Sequence, residues 1–351
     1  MNCAPKMEFD IVLATRNRAS ILPISIRLML SQERLPVRFI VADASDNHSE
    51  VKTIVESIFR EAAVPTELIV LRSEISGSSY QRNLGLKHVK SPIVFFPDDD
   101  VLWYPGTAEQ VMKIYERDVE GVVGCVAPAV APTYPPGVFD SSRPVYEMEW
   151  RDRFSRKLRS IIGPIEQRLF PDPINSDSMW RTIWGAKIPP VWLREEDAEL
   201  CGPVFGYRLS FRTEAIRKLE GFDEHLGRYA MFEDSDASLG SLREFMNVCA
   251  RRARVFHYRV PGERVPGWEF GMMAMLNRIY VACKHAPPGP MVRRPLKRYL
   301  YYKVFRYVLQ AHTQYGRDRL RGALYGLSNA QQLIDAPTDQ LLDRYLKLRH
   351  T

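Results

Sequence analysis

The chain has 351 residues, of which 45% are hydrophobic, and 49 Lys and Arg against 42 Asp and Glu leave a formal charge of +7. A chain of that length and apolar content can bury a large core, which excludes an intrinsically disordered protein and leaves room for one large α/β domain with an appendage, or two domains. The positive excess favours an anionic partner, such as a phosphate-bearing ligand or an anionic lipid surface, while no compact recognition motif points to nucleic acid.

The amino terminus, "MNCAPKMEFDIVLATRNR", lacks the continuous apolar stretch of a secretory signal. No window holds about 18 uninterrupted apolar residues, so no membrane span is expected. Cys3, Cys125, Cys201, Cys249 and Cys283 form no CxxC or Cys/His pattern, so neither a disulfide framework nor a zinc site is indicated. A cytoplasmic location follows as the expectation, with peripheral attachment to the inner face of a membrane as an option.

In chain order, "FDIVLAT" (9–15) reads as a buried strand, and Ile21, Ile24, Leu28 and Leu30 then recur at roughly helical spacing. "VRFIVADAS" (37–45) is a second strand, "EVKTIVESIFREA" (50–62) a second helix and "TELIVLRS" (66–73) a third strand. "SSYQRNLGLKHV" predicts a helix before the strand "SPIVFFPDDD". Strands separated by helices of this length imply parallel pairing, with helices on both faces and ligands at the carboxyl ends of the strands.

Three polar clusters follow strand ends: Thr15 to Arg18, Asp43 to Asp46, and Asp98 to Asp100. In extended backbone Asp98 and Asp100 point to one side and Asp99 to the other. Three adjacent carboxylates repel one another unless water or a cation intervenes, so the run is either a solvated turn or a site for a hard divalent cation. The position at a strand end, beside two other polar strand ends, favours the cation. Further on, "MFEDSDASLGSLREF" (231–245) places Glu233, Asp234 and Asp236 in or before the first turn of a helix. Carboxylates there serve as capping groups or, when positioned, as a general base. "ARVFHYRV" (253–260) is strand-like, with Val255, His257 and Arg259 on one face.

The order "VLATRNRASILPISIRLMLSQ", "FIVADAS", "GSSYQRNLGLKHVKSPIVFFPDDDV" and "GYRLSFRTEAIRKLEGFDEHLGRYAMFEDSDASL" resembles family 2 glycosyltransferases, over roughly residues 8 to 260. The resemblance implies a GT-A (Rossmann-like) α/β fold, a mixed and mainly parallel sheet flanked by helices, with a helical C-terminal extension. It also implies an inverting enzyme that uses a nucleoside-diphosphate sugar. Thr15, Arg16, Asn17 and Arg18 would line the nucleotide pocket, and Asp43 would accept from base or ribose. Arg82 would face the nucleotide or pyrophosphate, Asp98 the ribose, with Asp99 beside it, and Asp100 would hold Mn²⁺ or Mg²⁺. Asp234 would be the general base, Glu233 an acceptor-side contact, and His257 a further metal ligand. His225 is a weaker candidate that fits loop structure. Each residue also has a structural alternative: caps for Thr15 and Asn17, a turn for Asp43, a surface ion pair for Arg82.

The expected division is a glycosyltransferase domain over 1–260 and a mainly helical region over 261–351. Within the first, 8–127 would bind the nucleotide sugar, 128–200 would be an irregular acceptor-side insertion and 201–260 the catalytic half. In that insertion Trp180, Trp184 and Trp192 suit either sugar stacking, a lipid interface or core. Residues 151–173 read as basic and partly amphipathic. In "MVRRPLKRYLYYKVFRYVLQAH" (291–312) basic and aromatic residues alternate, which fits an anionic membrane surface or a solvated helix face. The acceptor would then be a glycan or a lipid-linked hydroxyl. A sugar nucleotidyltransferase is disfavoured because "LATRNRAS" has no glycine, and a non-catalytic binding module because Asp100, Asp234 and His257 are all present.

Overall fold

A computed structural model describes residues 6–139, 166, 168–176, 180–181, 185–260, 265–286 and 290–349. By internal contacts the chain forms two compact units, Met1–Pro135 with Ala186–Gly262, and Pro136–Gly185 with Glu263–Thr351. Residues 136–185 thus group with the C-terminal helices, whereas the sequence pattern assigns 128–200 to the first domain.

The first unit alternates strands and helices: β1 (Phe9–Thr15), α1 (Leu22–Leu30), β2 (Arg38–Asp43), α2 (His48–Ala62), β3 (Glu67–Arg72), α3 (Ser78–Leu86), β4 (Ile93–Pro97), β5 (Val101–Trp103), α4 (Thr107–Arg117) and β6 (Val123–Val130). After the second unit's excursion come α5 (Trp192–Glu195), β7 (Ala198–Cys201), β8 (Arg208–Arg212), α6 (Thr213–Lys218), α7 (Glu233–Ser241) and β9 (Met246–His257). These strands make one nine-stranded sheet among the described residues, in the order β3-β2-β1-β4-β8-β6-β9-β5, with β7 added on β9. The β3-β2-β1-β4 half is parallel, as its helical connections require. Antiparallel β8 then separates β4 from β6, while β6 and β9 pair parallel.

Both sheet faces are covered, and the alternation along each strand shows how. Phe9, Ile11, Leu13, Phe39, Val41, Ile93 and Phe95 pack with α1, α2 and α4. Val12, Ile40, Val94 and Phe96 pack on the other face with Leu86, Ile216, Phe222 and Ala237. Double burial explains why these strands are continuous apolar runs rather than alternating ones.

The second unit contains α8 (Gly267–His285), α9 (Pro290–Val308), α10 (Gln314–Ser328), α11 (Ala330–Ile334) and α12 (Leu341–Arg349). Helices α8 and α10 meet backbone to backbone: a Cβ at Gly271 would lie 1.9 Å from the Arg319 carbonyl, and one at Gly322 2.0 Å from that of Trp268. Trp180 is buried, its Nε1 donating to the Ile174 carbonyl at 2.7 Å, so it is core; Trp192 packs against the core of the first unit. Trp184 and most of 151–173 lie outside the described residues. Among the described residues no helix is long and apolar enough to cross a membrane.

Helix α3 sits on β1 through Gly85, whose missing side chain leaves room for Val12: a Cβ there would lie 2.3 Å from Val12 Cγ1. Gly85→Ala is therefore expected to lower stability by about 1–3 kcal/mol despite the better helix propensity of alanine. The urea midpoint measures this, and an unchanged or higher midpoint would refute the close seating of α3.

Candidate active site

The carboxyl ends of β1, β2 and β4 and the start of α7 converge on one cleft. Three consecutive side chains of α3 tie them together. The Gln81 amide donates to the carbonyls of Thr15 and Ala42, both at 2.7 Å, locking the ends of β1 and β2. Arg82, 2% exposed, donates to Asp98 Oδ1 at 2.8 Å and Glu233 Oε1 at 3.0 Å, with its guanidinium 5.2 Å from the Phe222 ring centroid. Asn83 donates to the Phe222 carbonyl and to Glu224, and accepts from the Phe222 N–H. The family resemblance points Arg82 toward a nucleotide; in the structure it is interior and joins two acidic segments, Glu233 lying 151 residues away in the chain.

The aspartate run leaves β4 as a turn into β5. Asp98 and Asp100 share one side with His257, and one potential ligand atom from each of the three lies within 4.8 Å of the others. Antiparallel pairing of β5 with β9 sets Val101 opposite His257, which brings the imidazole onto the residue before Val101. His257 Nε2 lies 3.2 Å from Asp100 Oδ1, and Tyr207 stacks on the imidazole with centroids 4.4 Å apart. Asp99 faces the other way, accepting from the Thr15 hydroxyl at 2.7 Å.

Three neighbouring carboxyls consequently differ. Asp98 is raised from the ordinary range by burial, against the pull of Arg82. Burial pushes Asp99 to about 7, only partly countered by the Thr15 hydroxyl. For Asp100 burial acts upward but is outweighed by the hydrogen bond and charge of His257 and by the Val260 N–H, so it is held low. Two carboxylate oxygens and an imidazole nitrogen are a donor set that suits Mn²⁺ or Mg²⁺, and a dication would relieve the repulsion between Asp98 and Asp100.

Asp43, fully buried, accepts from the Ser45 N–H at 2.9 Å and pairs with His48 Nδ1 at 2.7 Å. Asn17 exchanges hydrogen bonds with Asp46, at 2.9 and 3.0 Å, in a left-handed conformation (φ 53°). Arg16 donates to Ser76 and Arg18 to the Val260 carbonyl. A cleft of about 510 Å³ lies beside them, lined by Arg16, Ser45, Asp46, Arg72, Ser76 and Arg228.

Helix α7 begins after Phe232, itself at φ 80°, a strained conformation for an aromatic residue. That turn presents two carboxylates. Asp234 accepts from the backbone N–H of Gly206 at 2.7 Å and of Ser235 at 2.6 Å, and Glu233 from the Ser78 hydroxyl at 2.8 Å as well as from Arg82. Burial raises both, Glu233 to about 8; the Asp234 charge adds to the rise of Glu233, the Gly206 and Ser235 N–H groups hold Asp234 back, and Arg82 opposes both shifts. His225 instead pairs with Asp223 in an exposed turn. Gln81, Asn83, His48 and Tyr207 are not singled out by sequence patterns. Their partners are mostly distant in the chain; only His48, five residues after Asp43, has a local signal.

A sheet whose parallel strand ends gather an Asp-Asp-His cluster, with an acidic helix start facing it, has the architecture of a GT-A glycosyltransferase. Residues 10–173, a little under half of the chain, match the family described as Glycosyl transferase family 2, and that match together with the fold supports a glycosyltransferase. Similar solved structures include S. aureus TarS 1-349 in complex with UDP-GlcNAc (15% identity, TM-score 0.55, covering 98% of this chain and 91% of that one). The mannosyltransferase PcManGT from Pyrobaculum calidifontis, in complex with GDP-Man and Mn²⁺, is 15% identical with a TM-score of 0.50, covering 99% of this chain and 81% of that one. GalNAc-T7 with UDP, GalNAc and Mn²⁺ is 12% identical with a TM-score of 0.54, covering 97% and 57%. At these identities the likeness establishes the fold. The comparison with curated proteins finds no match.

The raised Glu233 carboxyl gives a pH signature. A carboxyl whose folded pKa lies above its unfolded value contributes stability below about pH 4.5 that is lost as pH rises toward 8. In chelator, Glu233→Gln is expected to flatten the fall in stability between those pH values by about 1–4 kcal/mol. Parallel stability–pH curves for variant and wild type would show that Glu233 titrates normally.

Proposed function

We propose that the protein moves a sugar from a nucleoside-diphosphate sugar to a hydroxyl of a glycan or lipid-linked acceptor, with inversion and with Asp234 as general base. The observation that carries this reading is the single guanidinium of Arg82 standing between the Asp98–Asp100–His257 cluster and the Glu233–Asp234 pair.

Thr15 to Arg18 and Asp43 border the donor pocket. His48 and the Ser45 N–H orient Asp43, and a carboxylate has lone pairs left to accept from a base or ribose. Arg16 and Arg18 offer charge to the phosphates, and Asp99, tied to Thr15, holds the end of β1 against the aspartate turn. Asp98, Asp100 and His257 would hold Mn²⁺ or Mg²⁺, which supplies neutralisation of the diphosphate leaving group. Asp234 takes the proton of the incoming hydroxyl. Its raised pKa makes it a better base than a solvated aspartate, and two backbone N–H groups fix its orientation. Glu233 borders the acceptor. The parallel rings of Phe205 and Tyr207, centroids 6.4 Å apart, offer an apolar face to a sugar ring. Attack opposite the leaving group needs no enzyme nucleophile, hence the expected inversion.

The neighbours named above were solved with UDP-GlcNAc, GDP-Man, or UDP and GalNAc, and two of them with Mn²⁺, which supports a nucleotide-sugar donor and a divalent cation. On α9, Tyr301, Phe305 and Val308 are 65, 59 and 53% exposed and recur every three or four residues, in line with exposed Arg294 and Arg298. That stripe supports contact with an anionic membrane carrying a lipid-linked acceptor.

Thermal shift with a panel of nucleoside diphosphates should reveal one that stabilises the protein only with Mn²⁺, and Asp100→Ala should abolish the effect. Asp234→Asn should keep the shift and lower kcat by about 10²–10⁴. Full turnover in Asp234→Asn would remove it from the role of base, and a shift independent of Mn²⁺ and of Asp100 would remove the metal site.

A further inference from the structure

The core-facing stripe of α9 carries a lysine where its spacing calls for an apolar residue. Leu296, Tyr299, Leu300 and Tyr307 are all buried, and Lys303 falls in the middle of that face, four residues from each tyrosine. Its Nζ lies 6.0 Å from the Tyr299 ring centroid and 5.3 Å from that of Tyr307. Both rings are shared with other cations: the guanidinium of Arg278, on α8, is 4.8 Å from Tyr299, and that of Arg319, on α10, is 4.7 Å from Tyr307.

The acids of this region are already engaged. Both oxygens of Asp172 accept from Arg278 at 3.0 Å, and one also accepts from the Tyr299 hydroxyl at 3.1 Å. Glu166 pairs with Arg306. Among the described residues Lys303 makes no hydrogen bond or ion pair, and the Nε of Arg319 is buried without a partner. Among the described residues four cations thus stand near two carboxylates, and neither Lys303 nor Arg319 has a carboxylate partner, an arrangement that costs folding energy unless an anion joins it. Burial, with Arg278, Arg306 and Arg319 adding repulsion, holds the Lys303 ammonium down to about 8. Lys303 and Arg319 are each only partly buried.

We propose that Arg278, Lys303 and Arg319, one from each of three packed helices, form an oxyanion site that takes a phosphoryl group. The two uncompensated positive charges match a phosphate dianion, and planar guanidinium donors with a lysine point charge are the donor set that phosphate oxygens fit. Lipid phosphate and a soluble phosphate or diphosphate share this chemistry. The site lies within the second unit and is independent of the donor-site assignment.

The test is thermal unfolding of the full chain in chelator, with inorganic phosphate or pyrophosphate exchanged for chloride at constant ionic strength. Wild type should gain about 5 °C at saturation. Lys303→Met, which keeps side-chain length and removes the charge, should lose the gain and be at least as stable as wild type in chloride. Arg319→Gln serves as the second variant and should also lose it. For a lipid source, soluble anions would give no gain, and the protein would cosediment with phosphatidylcholine vesicles containing phosphatidic acid at least tenfold more than either variant does. The proposal fails if neither probe binds wild type, or if both variants respond as wild type does.

Discussion

The arrangement of the cleft depends on one buried cation. Arg82 holds the aspartate turn after β4 and the acidic start of α7 through one hydrogen bond to each. Without it Asp98, Glu233 and Asp234 would face one another with no intervening charge. A buried ion pair of this kind contributes little net stability, because desolvation offsets most of the attraction. What it fixes is position: a guanidinium with planar, directed donors sets where two carboxylates stand relative to each other.

That cation is itself placed by helix geometry. Successive helical residues point about 100° apart, so Gln81, Arg82 and Asn83 reach in different directions from one turn of α3. Gln81 reaches the ends of β1 and β2, Arg82 the acids, and Asn83 the turn at Phe222. A glycine at position 85 lets that turn sit directly on Val12. The helix therefore acts as a rigid connector, and the apolar packing on both sheet faces is what keeps it rigid.

The parallel half of the sheet was legible in the sequence because buried strands and amphipathic helices leave different periodicities. The acidic clusters were legible because polar residues directly after apolar strands lie where such sheets bind ligands. The antiparallel strands were harder. β7 has four residues and β9 begins at Met246, well before the strand-like run at 253, since polar Asn247 and Arg251 interrupt its apolar pattern. The roles of Gln81 and Asn83 had no local signal, because their partners lie up to 141 residues away. Tryptophan at 180 was ambiguous for another reason: core and ligand stacking use the same surface, and only burial separates them.

Three consecutive aspartates raise the question of why one residue type is repeated. Backbone alternation gives a partial answer, since it sends Asp99 to Thr15 and leaves Asp98 and Asp100 beside His257. Environment supplies the rest. Asp98 is set against the Arg82 guanidinium, Asp99 is buried against a neutral hydroxyl, and Asp100 has an imidazole and a backbone N–H. A carboxyl raised toward 7 is a poor cation ligand but a good hydrogen-bonding partner for the Thr15 hydroxyl. One held low stays ionised, as a ligand for a dication would have to be. An Asp-X-Asp spacing would satisfy the cation alone. The middle aspartate has a task of its own in the fold, since it anchors the turn to β1 through the Thr15 hydroxyl.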